Sequence, residues 1–549
     1  MKLKFRLLAS TSVLVSLMVA ACDNSTMRIA THTQLENLDP VWTTAYMTRN
    51  HGYLVYDTLF ALDQNLEPQP QMVESFSVSA DQKTYTFKLR PGLKWHDGTN
   101  VTAADCVASL VRWSKRDGVG QELFKGVSSV TASDDQTMVM QFIQPNDEVL
   151  TALAKVSSNV PFMMPRRVAE TDPMKPIDDA TGSGPYVFQK DKWVPGSKAV
   201  YIKNPNYAPR NEKASLAAGG KVAKAKEIDL VYYRDQNAAA DALLKGDVDY
   251  VESPSTKLLP KLVGKDHVVV ANTDPLGNVA MMRFNSQAKP FNNPAIRRAV
   301  LMTINQGQYM NAALGDKRFY RDCFSVYACG TTYGTEAGAE LMKKGDLDAA
   351  RAALRAARYD GTPVVILNPA DVPVIAALTA VTAENLRNIG MNVEVRDMSL
   401  ADMMQQRTQG GWSIFHTWWL AGDLLDPMSI AYSGNATTGW PGAPQDAQLE
   451  SLRLAFSKAT STDEKQKLAA KVQERVIAIG ALGTLGQFFE PVAFRDNVVG
   501  ITSPIQFYWS LARATPEAQR IEGVPGEIKG QFFNEEIGAW RMPAPYTKK

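Results

Sequence analysis

Val364-Val-Ile-Leu367 is a short apolar run, and Asp371-Val-Pro373 then opens a segment that Gly390 closes. Met391-Asn-Val-Glu-Val-Arg396 is a second run, Ser399 opens another segment, and Ser413-Ile-Phe-His-Thr-Trp418 is a third run. The three runs have the length and the apolar character of strands. The segments between them begin at residues that cap helices or, as proline does, fit the first turn. Strand and helix therefore alternate from 364 to 418, the pattern of an open α/β sheet.

Upstream, Asn293-Pro294 predicts an N-cap and first helical residue. Ile296, Val300 and Ile304 space one apolar face of that helix, and Gly315 lies near its expected end. Earlier, Tyr85, Phe87 and Leu89 alternate with polar residues, the period of a half-buried strand. Pro91-Gly92 and His96-Asp97-Gly98 are turns, and Thr102 with Asp105 is a capping box ahead of a helix running to about Lys115. Asn50 to Phe60 is apolar at helical spacing through Tyr53, Leu54, Tyr56 and Leu59, followed by a stiff connection at Leu66-Glu-Pro-Gln-Pro70. Met27 to Thr31 reads as an opening strand, leading to Leu38-Asp39-Pro40. The periodicity predicts two α/β bodies plus an inserted β-rich region; by itself it assigns no function.

The beginning of the chain points to a compartment. Lys2, Lys4 and Arg6 precede an apolar stretch from Leu7 to Ala21, too short to span a bilayer, so residues 1–21 read as a secretory signal peptide. The stretch ends Val19-Ala-Ala-Cys22, which looks like the lipobox of bacterial lipoproteins. Cys22 is then the expected lipidation site, anchoring the protein to a membrane surface in the periplasm or cell envelope. At 549 residues the chain exceeds one ordinary hydrophobic core, so two or three domains are expected. Its formal charge of +2 falls by three when the leader's cations are removed, and no basic bias remains to favour a nucleic-acid partner.

Cys22, Cys106, Cys323 and Cys329 are the cysteines. Cys323 and Cys329, six apart in a loop-like stretch of an exported chain, are expected to form a disulfide. Cys106 falls on a helix and is expected to be a buried free thiol. The five histidines, His32, His51, His96, His267 and His416, show no paired spacing, so neither a metal site nor a cofactor is expected.

Several ordered motifs carry a family resemblance. Glu74-Ser-Phe76, Asp81 to Arg90, Pro91-Gly-Leu-Lys-Trp-His-Asp-Gly98 and Val101-Thr-Ala-Ala-Asp105 resemble the N-terminal block of the family 5 extracellular solute-binding proteins. That family includes periplasmic dipeptide-, oligopeptide-, nickel- and glutathione-binding proteins. Gly182-Ser-Gly-Pro-Tyr186, Lys203-Asn-Pro-Asn-Tyr207 and Ala242 to Asp249 resemble further family segments, as do Phe284-Asn285, Pro290-Phe291 and Ile296-Arg-Arg-Ala299. The similarity runs from about Met27 to about Trp509. It implies a two-lobed, hinged periplasmic-binding-protein fold of the α/β class, with an extra domain inserted in the first lobe. The first lobe would comprise 22–272, with the inserted domain at about 62–178; the second lobe would be 273–485; and 486–549 would return to the first lobe and form a C-terminal tail.

The resemblance also implies a function and a site. The chain would be the substrate-binding component of an ABC importer, not an enzyme, capturing a peptide or similar small organic solute as a monomer and delivering it to a membrane permease and its ATPase. In peptide-binding members an Asp shortly after a Trp, just before an acidic-Pro pair, holds the peptide's α-amino group. Asp423 occupies that place in Trp418-Trp-Leu-Ala-Gly-Asp-Leu-Leu-Asp-Pro427. A carboxylate in a closed, low-dielectric cleft pairs strongly with an ammonium. One extra residue separates Trp419 from Asp423, which leaves open whether Trp418 or Trp419 faces ligand and makes Asp426 the next candidate. Tyr46 and Met47 belong to an early loop that borders the cleft in the family. Arg396 and Arg407 are available for a ligand carboxylate, and nothing in the sequence singles out either.

Other readings compete with this one. A sensor or chaperone-like binder of the same fold would differ in its partner rather than its cleft. Ser286-Gln-Ala-Lys289 matches the Ser-x-x-Lys of serine-type envelope hydrolases, but Pro290 follows at once and no Lys-[Ser/Thr]-Gly partner motif exists. His96-Asp97 resembles a catalytic pair and is read as a strand-to-helix turn. Asn24, Asn100 and Asn435 begin chance glycosylation sequons.

Overall fold

The computed structural model describes residues 26–514 apart from 66, 158, 275, 438, 460, 503 and 504, together with the backbone of 22–23, 533–534 and 539–540. The leader 1–21, the side chain of Cys22 and nearly all of the tail beyond Ala514 lie outside the described residues.

Two large sheets organise the chain. The first has seven strands, in spatial order Val268–Ala271, Val492–Arg495, Tyr250–Val251, Thr26–Thr31, Glu227–Tyr232, Lys198–Lys203 and Tyr186–Phe188. Thr26–Thr31 is parallel to both neighbours, whereas Val492–Arg495 enters antiparallel on both sides. The second has six strands: Tyr320–Arg321, Leu482–Phe488, Asn278–Phe284, Ile414–Leu420, Val364–Pro369 and Val393–Met398. Its middle strands Asn278–Phe284 and Leu482–Phe488 are buried along their whole length, as strands covered on both faces are. Val364–Pro369 is parallel to Val393–Met398 and to Ile414–Leu420, with helices Pro373–Asn388 and Leu400–Gln409 as the connections. The alternation read from 364 to 418 is thus an α/β sheet. Each sheet has its own large apolar core.

The chain passes between the sheets twice, from Ala271 to Asn278 and from Phe488 to Val492. Leu482–Phe488 runs in the second sheet past the expected second-lobe limit at 485, and the first sheet is re-entered at Val492. Two short crossings between two separately cored bodies form a hinge-type joint.

An antiparallel four-stranded sheet lies within the first half, in the order Val73–Val78, Thr84–Leu89, Thr137–Phe142 and Val127–Ala132. Tyr85, Phe87 and Leu89 point into its core, as their alternation predicts. Thr102 and Asp105 form the capping box of helix Ala103–Ser114, which carries the buried, unpaired Cys106.

Two helices differ from the sequence reading. The apolar segment 50–60 is not one helix: the helix is Tyr46–Val55, and Phe60–Leu62 is a strand. The Gly182–Gly184 turn ends the helix, since the Gly184 N–H takes the Val55 carbonyl at 2.8 Å. A Cβ on Gly182 would lie 1.9 Å from that oxygen, so this approach requires glycine. Tyr56, Leu59 and Phe60 remain buried in extended chain, showing that their spacing satisfied the core rather than the helix. The segment 293–315 likewise splits into Pro294–Leu301 and Gln306–Leu314, because Asn305 caps a second helix through the Gln308 N–H.

Candidate functional site

The loop that carries Tyr46 is held by buried polar groups. Asp39 Oδ1 accepts the N–H groups of Val41 and Trp42, and its Oδ2 pairs with Arg112 of the inserted region at 2.7 Å, both side chains being sealed from solvent. Asn159 Nδ2 donates to the carbonyls of Val41 and Thr43 at 2.8 Å each. Breaking such a buried pair leaves an uncompensated charge, so this frame fixes where helix Tyr46–Val55 begins.

Asp423 comes from the opposite lobe, in the short turn Ala421–Asp423 that follows strand Ile414–Leu420. The Ala421 N–H bonds the Gly277 carbonyl at 2.8 Å, tying this turn to a crossing between the lobes. The Tyr46 hydroxyl lies 3.4 Å from Asp423 Oδ2 and accepts the Leu420 N–H at 3.0 Å. Burial raises the Asp423 carboxyl above its ordinary value; Arg49, the Ser157 hydroxyl, Lys155 and Tyr46 act in the other direction. Arg49 donates to Ser157 Oγ at 3.0 Å and stands 4.7 Å from the centre of the Tyr46 ring.

The remaining expected residues divide by environment. Trp418 is half-buried, with its ring edge-on to Phe488, while Trp419 is buried against Trp440 at 4.9 Å. Successive strand residues face opposite sides of the sheet, which separates the two rings. Met47 is buried in the first-lobe core. Asp426 Oδ1 accepts the Met428 N–H at 2.7 Å and so closes its own turn. Arg396 is an exposed residue on Glu394, whereas Arg407 is 8% exposed and donates across the cleft to Thr44 Oγ1 at 3.0 Å. Arg407 stacks on Phe415 and Trp440, and among the described residues it has no carboxylate partner within ion-pair distance.

Sequence reasoning missed Arg49 and Ser157, and also a polar group at the hinge. His32 Nδ1 lies on Glu252 Oε2 at 2.5 Å, and Asn50 Nδ2 donates to Glu252 Oε1 at 3.1 Å and to Tyr508 Oη at 3.3 Å. Burial works against the Glu252 charge, but His32 outweighs it and holds the carboxyl down to about 2. Arg49 was legible in part, being three residues beyond Tyr46 on one helix face. The competing catalytic pairs do not assemble. Ser286 is buried while Lys289, exposed, lies 3.5 Å from Asp360. His96 accepts the Gly182 N–H and bonds the Gly184 carbonyl, bracing the turn that ends helix Tyr46–Val55. Cys323 and Cys329 are paired, with Cα atoms 5.9 Å apart. Among the described residues there is no metal-ligand cluster and no helix long and apolar enough to cross a membrane.

Two α/β lobes on a double crossing, with a carboxylate of one facing an arginine, a serine and a tyrosine of the other, define a hinged solute-binding protein. The chain belongs to the bacterial extracellular solute-binding proteins, family 5, whose middle-region model matches residues 67–442. It is 32% identical over 521 residues to the probable peptide ABC transporter periplasmic-binding protein y4tO of Sinorhizobium fredii, covering 92% of this chain and 96% of that one. It shares its fold with AgaA of A. tumefaciens R10, solved with agropinic acid (TM-score 0.76, 22% identity, 88% of this chain and 96% of that one). It also shares it with DppA of Helicobacter pylori, solved with the peptide STSA (TM-score 0.73, 19% identity, 89% and 98%).

Proposed function

We propose that this protein captures a peptide or similar small zwitterionic solute between its lobes and delivers it to an ABC permease and ATPase. The observation that carries the reading is Asp423: a carboxyl held between the lobes, without a direct ion pair among the described residues, and raised by burial. Such a group gains most from an incoming ammonium, which stabilises its charge in a place of low dielectric. Arg407, buried beside Thr44 only two residues from Tyr46, offers the opposite charge to a ligand carboxylate. Trp418 supplies an apolar wall on the same strand as the Asp423 turn. The name of the Sinorhizobium relative supports peptide transport. Closure onto ligand favours one lobe arrangement, which the importer recognises.

In the same reading the leader is removed, Cys22 is lipidated, and the protein works as a monomer on the periplasmic side of a membrane. The Cys323–Cys329 pair is oxidised in that compartment. Native mass spectrometry of the purified protein tests the function directly. A copurifying peptide lost on Asp423→Asn supports it; a copurifying solute without an amine removes the role of Asp423.

A further inference from the structure

The two crossings between the lobes each carry a carboxylate, Asp274 on one and Glu490 on the other. Both are half-buried, and among the described residues neither has a lysine or arginine within ion-pair distance. His32, the cation acting most strongly on Glu490, is already held by Glu252. Glu490 Oε2 accepts from Asn278 Nδ2 at 3.0 Å, and Asp274 Oδ1 accepts the Leu276 N–H at 2.9 Å. Asn278 is only 4% exposed, yet among the described residues its side-chain oxygen, on the amide group that touches Glu490, has no hydrogen-bond partner. Beside Asp274, Asn272 is 2% exposed and its Nδ2 is a donor without a partner among the described residues, suited to a peptide carbonyl. A buried acceptor left unpaired costs free energy. Two carboxylates and an amide oxygen in one place are complementary to a group with donors only, an ammonium or guanidinium. Burial, with the neighbouring carboxylates adding to it, pushes both Asp274 and Glu490 up to about 7. The Ala421 N–H bonds the Gly277 carbonyl at 2.8 Å, so this crossing lies beside the Asp423 turn, and Asp274 also feels the charge of Asp423.

We propose that Asp274, Glu490 and the Asn278 amide oxygen form a second cation-receiving subsite at the hinge, so that the solute is a peptide bearing a basic side chain in addition to the amine received by Asp423. This rests on the interlobe cleft being the ligand site.

The test is titration calorimetry at pH 8 on the purified protein stripped of bound solute. The probes are di-, tri- and tetrapeptides in matched pairs, each lysine replaced by the uncharged norleucine of similar length. Lysine peptides are expected to bind the wild type roughly ten- to a hundredfold tighter than their partners. Glu490→Gln and Asp274→Asn, made separately so that one folded variant suffices, should narrow that gap and leave norleucine peptides unchanged. Asp423→Asn should weaken both members of each pair alike. Equal affinity of paired peptides for the wild type overturns the subsite and leaves the peptide reading standing. A lysine preference that survives in both hinge variants overturns the residue assignment. Binding of no peptide overturns the subsite together with the reading beneath it.

Discussion

The Tyr46 hydroxyl and the Asp423 carboxylate stand 3.4 Å apart although 377 residues separate them in sequence, one on each lobe. The same hydroxyl accepts the Leu420 N–H at 3.0 Å, so one oxygen bridges the lobes twice. The relationship places the carboxylate proposed to receive the ligand's amine at a contact between the lobes.

Asp423→Asn should keep the shape of the turn and remove its charge. Truncating one partner of a buried charged pair costs ~2–5 kcal/mol, or roughly 30- to 5,000-fold in affinity for a ligand with a free amine. The fold should persist, with little change in melting temperature, because Asp423 is not a core residue. Asp426→Asn, whose amide oxygen still accepts the Met428 N–H and keeps the turn closed, should affect binding much less. Calorimetry with the copurifying solute separates the two variants.

Tyr46→Phe removes the bridging hydroxyl and leaves the ring beside Arg49. The lost bonds amount to about 0.5–1.5 kcal/mol of closed-state stability, so ligand should leave roughly two- to twelvefold faster. Stopped-flow release and small-angle scattering of the ligand-free protein measure the rate and the opening. An unchanged off-rate would show that closure does not depend on this contact.

Burial pushes the Glu490 carboxyl up to about 7, against an ordinary value of 4.5. The folded state therefore holds its proton more tightly, and folded stability falls as pH rises from near the ordinary value through about 7. Glu490→Gln escapes that loss. It should raise the melting temperature of the ligand-free protein at pH 8, by a stabilisation on the order of 1–3 kcal/mol, and the gain should vanish near pH 5. Thermal scans at both pH values check the sign.

Cys323 is anchored independently of its sulfur, since Gln306 bonds both its N–H and its carbonyl. Closing so short a loop contributes about 2 kcal/mol in the chain-entropy view. Reduction or Cys329→Ser should loosen one loop and lower the melting temperature modestly without unfolding the protein. Thiol counting on the denatured, unreduced mature protein should find a single free thiol, that of Cys106. Finding three would remove the disulfide from the mature form.

Cys22→Ser should abolish lipid attachment, leaving an unprocessed or freely soluble product. Membrane fractionation and intact-mass measurement read the outcome; a variant that fractionates with membranes as the wild type does would exclude the anchor.

Much of the local structure was legible. The Thr102–Asp105 capping box, the Asn293 and Ser399 caps, and the strands at 84–89 and 364–369 occur where residue type and spacing place them. The reading failed where spacing was ambiguous, as at 50–60, where a glycine turn more than a hundred residues away ended the helix. Within the candidate site, motif resemblance pointed to Asp423 and Tyr46 but not to which tryptophan keeps accessible surface, nor to whether Arg396 or Arg407 is buried.

The helix caps, the strand periods and the class of fold can be read along the chain, because they depend on residues within three or four positions of one another and on the repeat of the backbone. A return of the chain after residue 486 was expected, but its place in the first sheet, with Val492–Arg495 between Tyr250–Val251 and Val268–Ala271, came from long-range packing. The tertiary structure alone brought Asp423 to Tyr46, and set Asp274 and Glu490 on adjoining crossings. The physical reason is that strand pairing across hundreds of residues and the burial that shifts a carboxyl both depend on which surfaces pack together, and no local pattern encodes that packing.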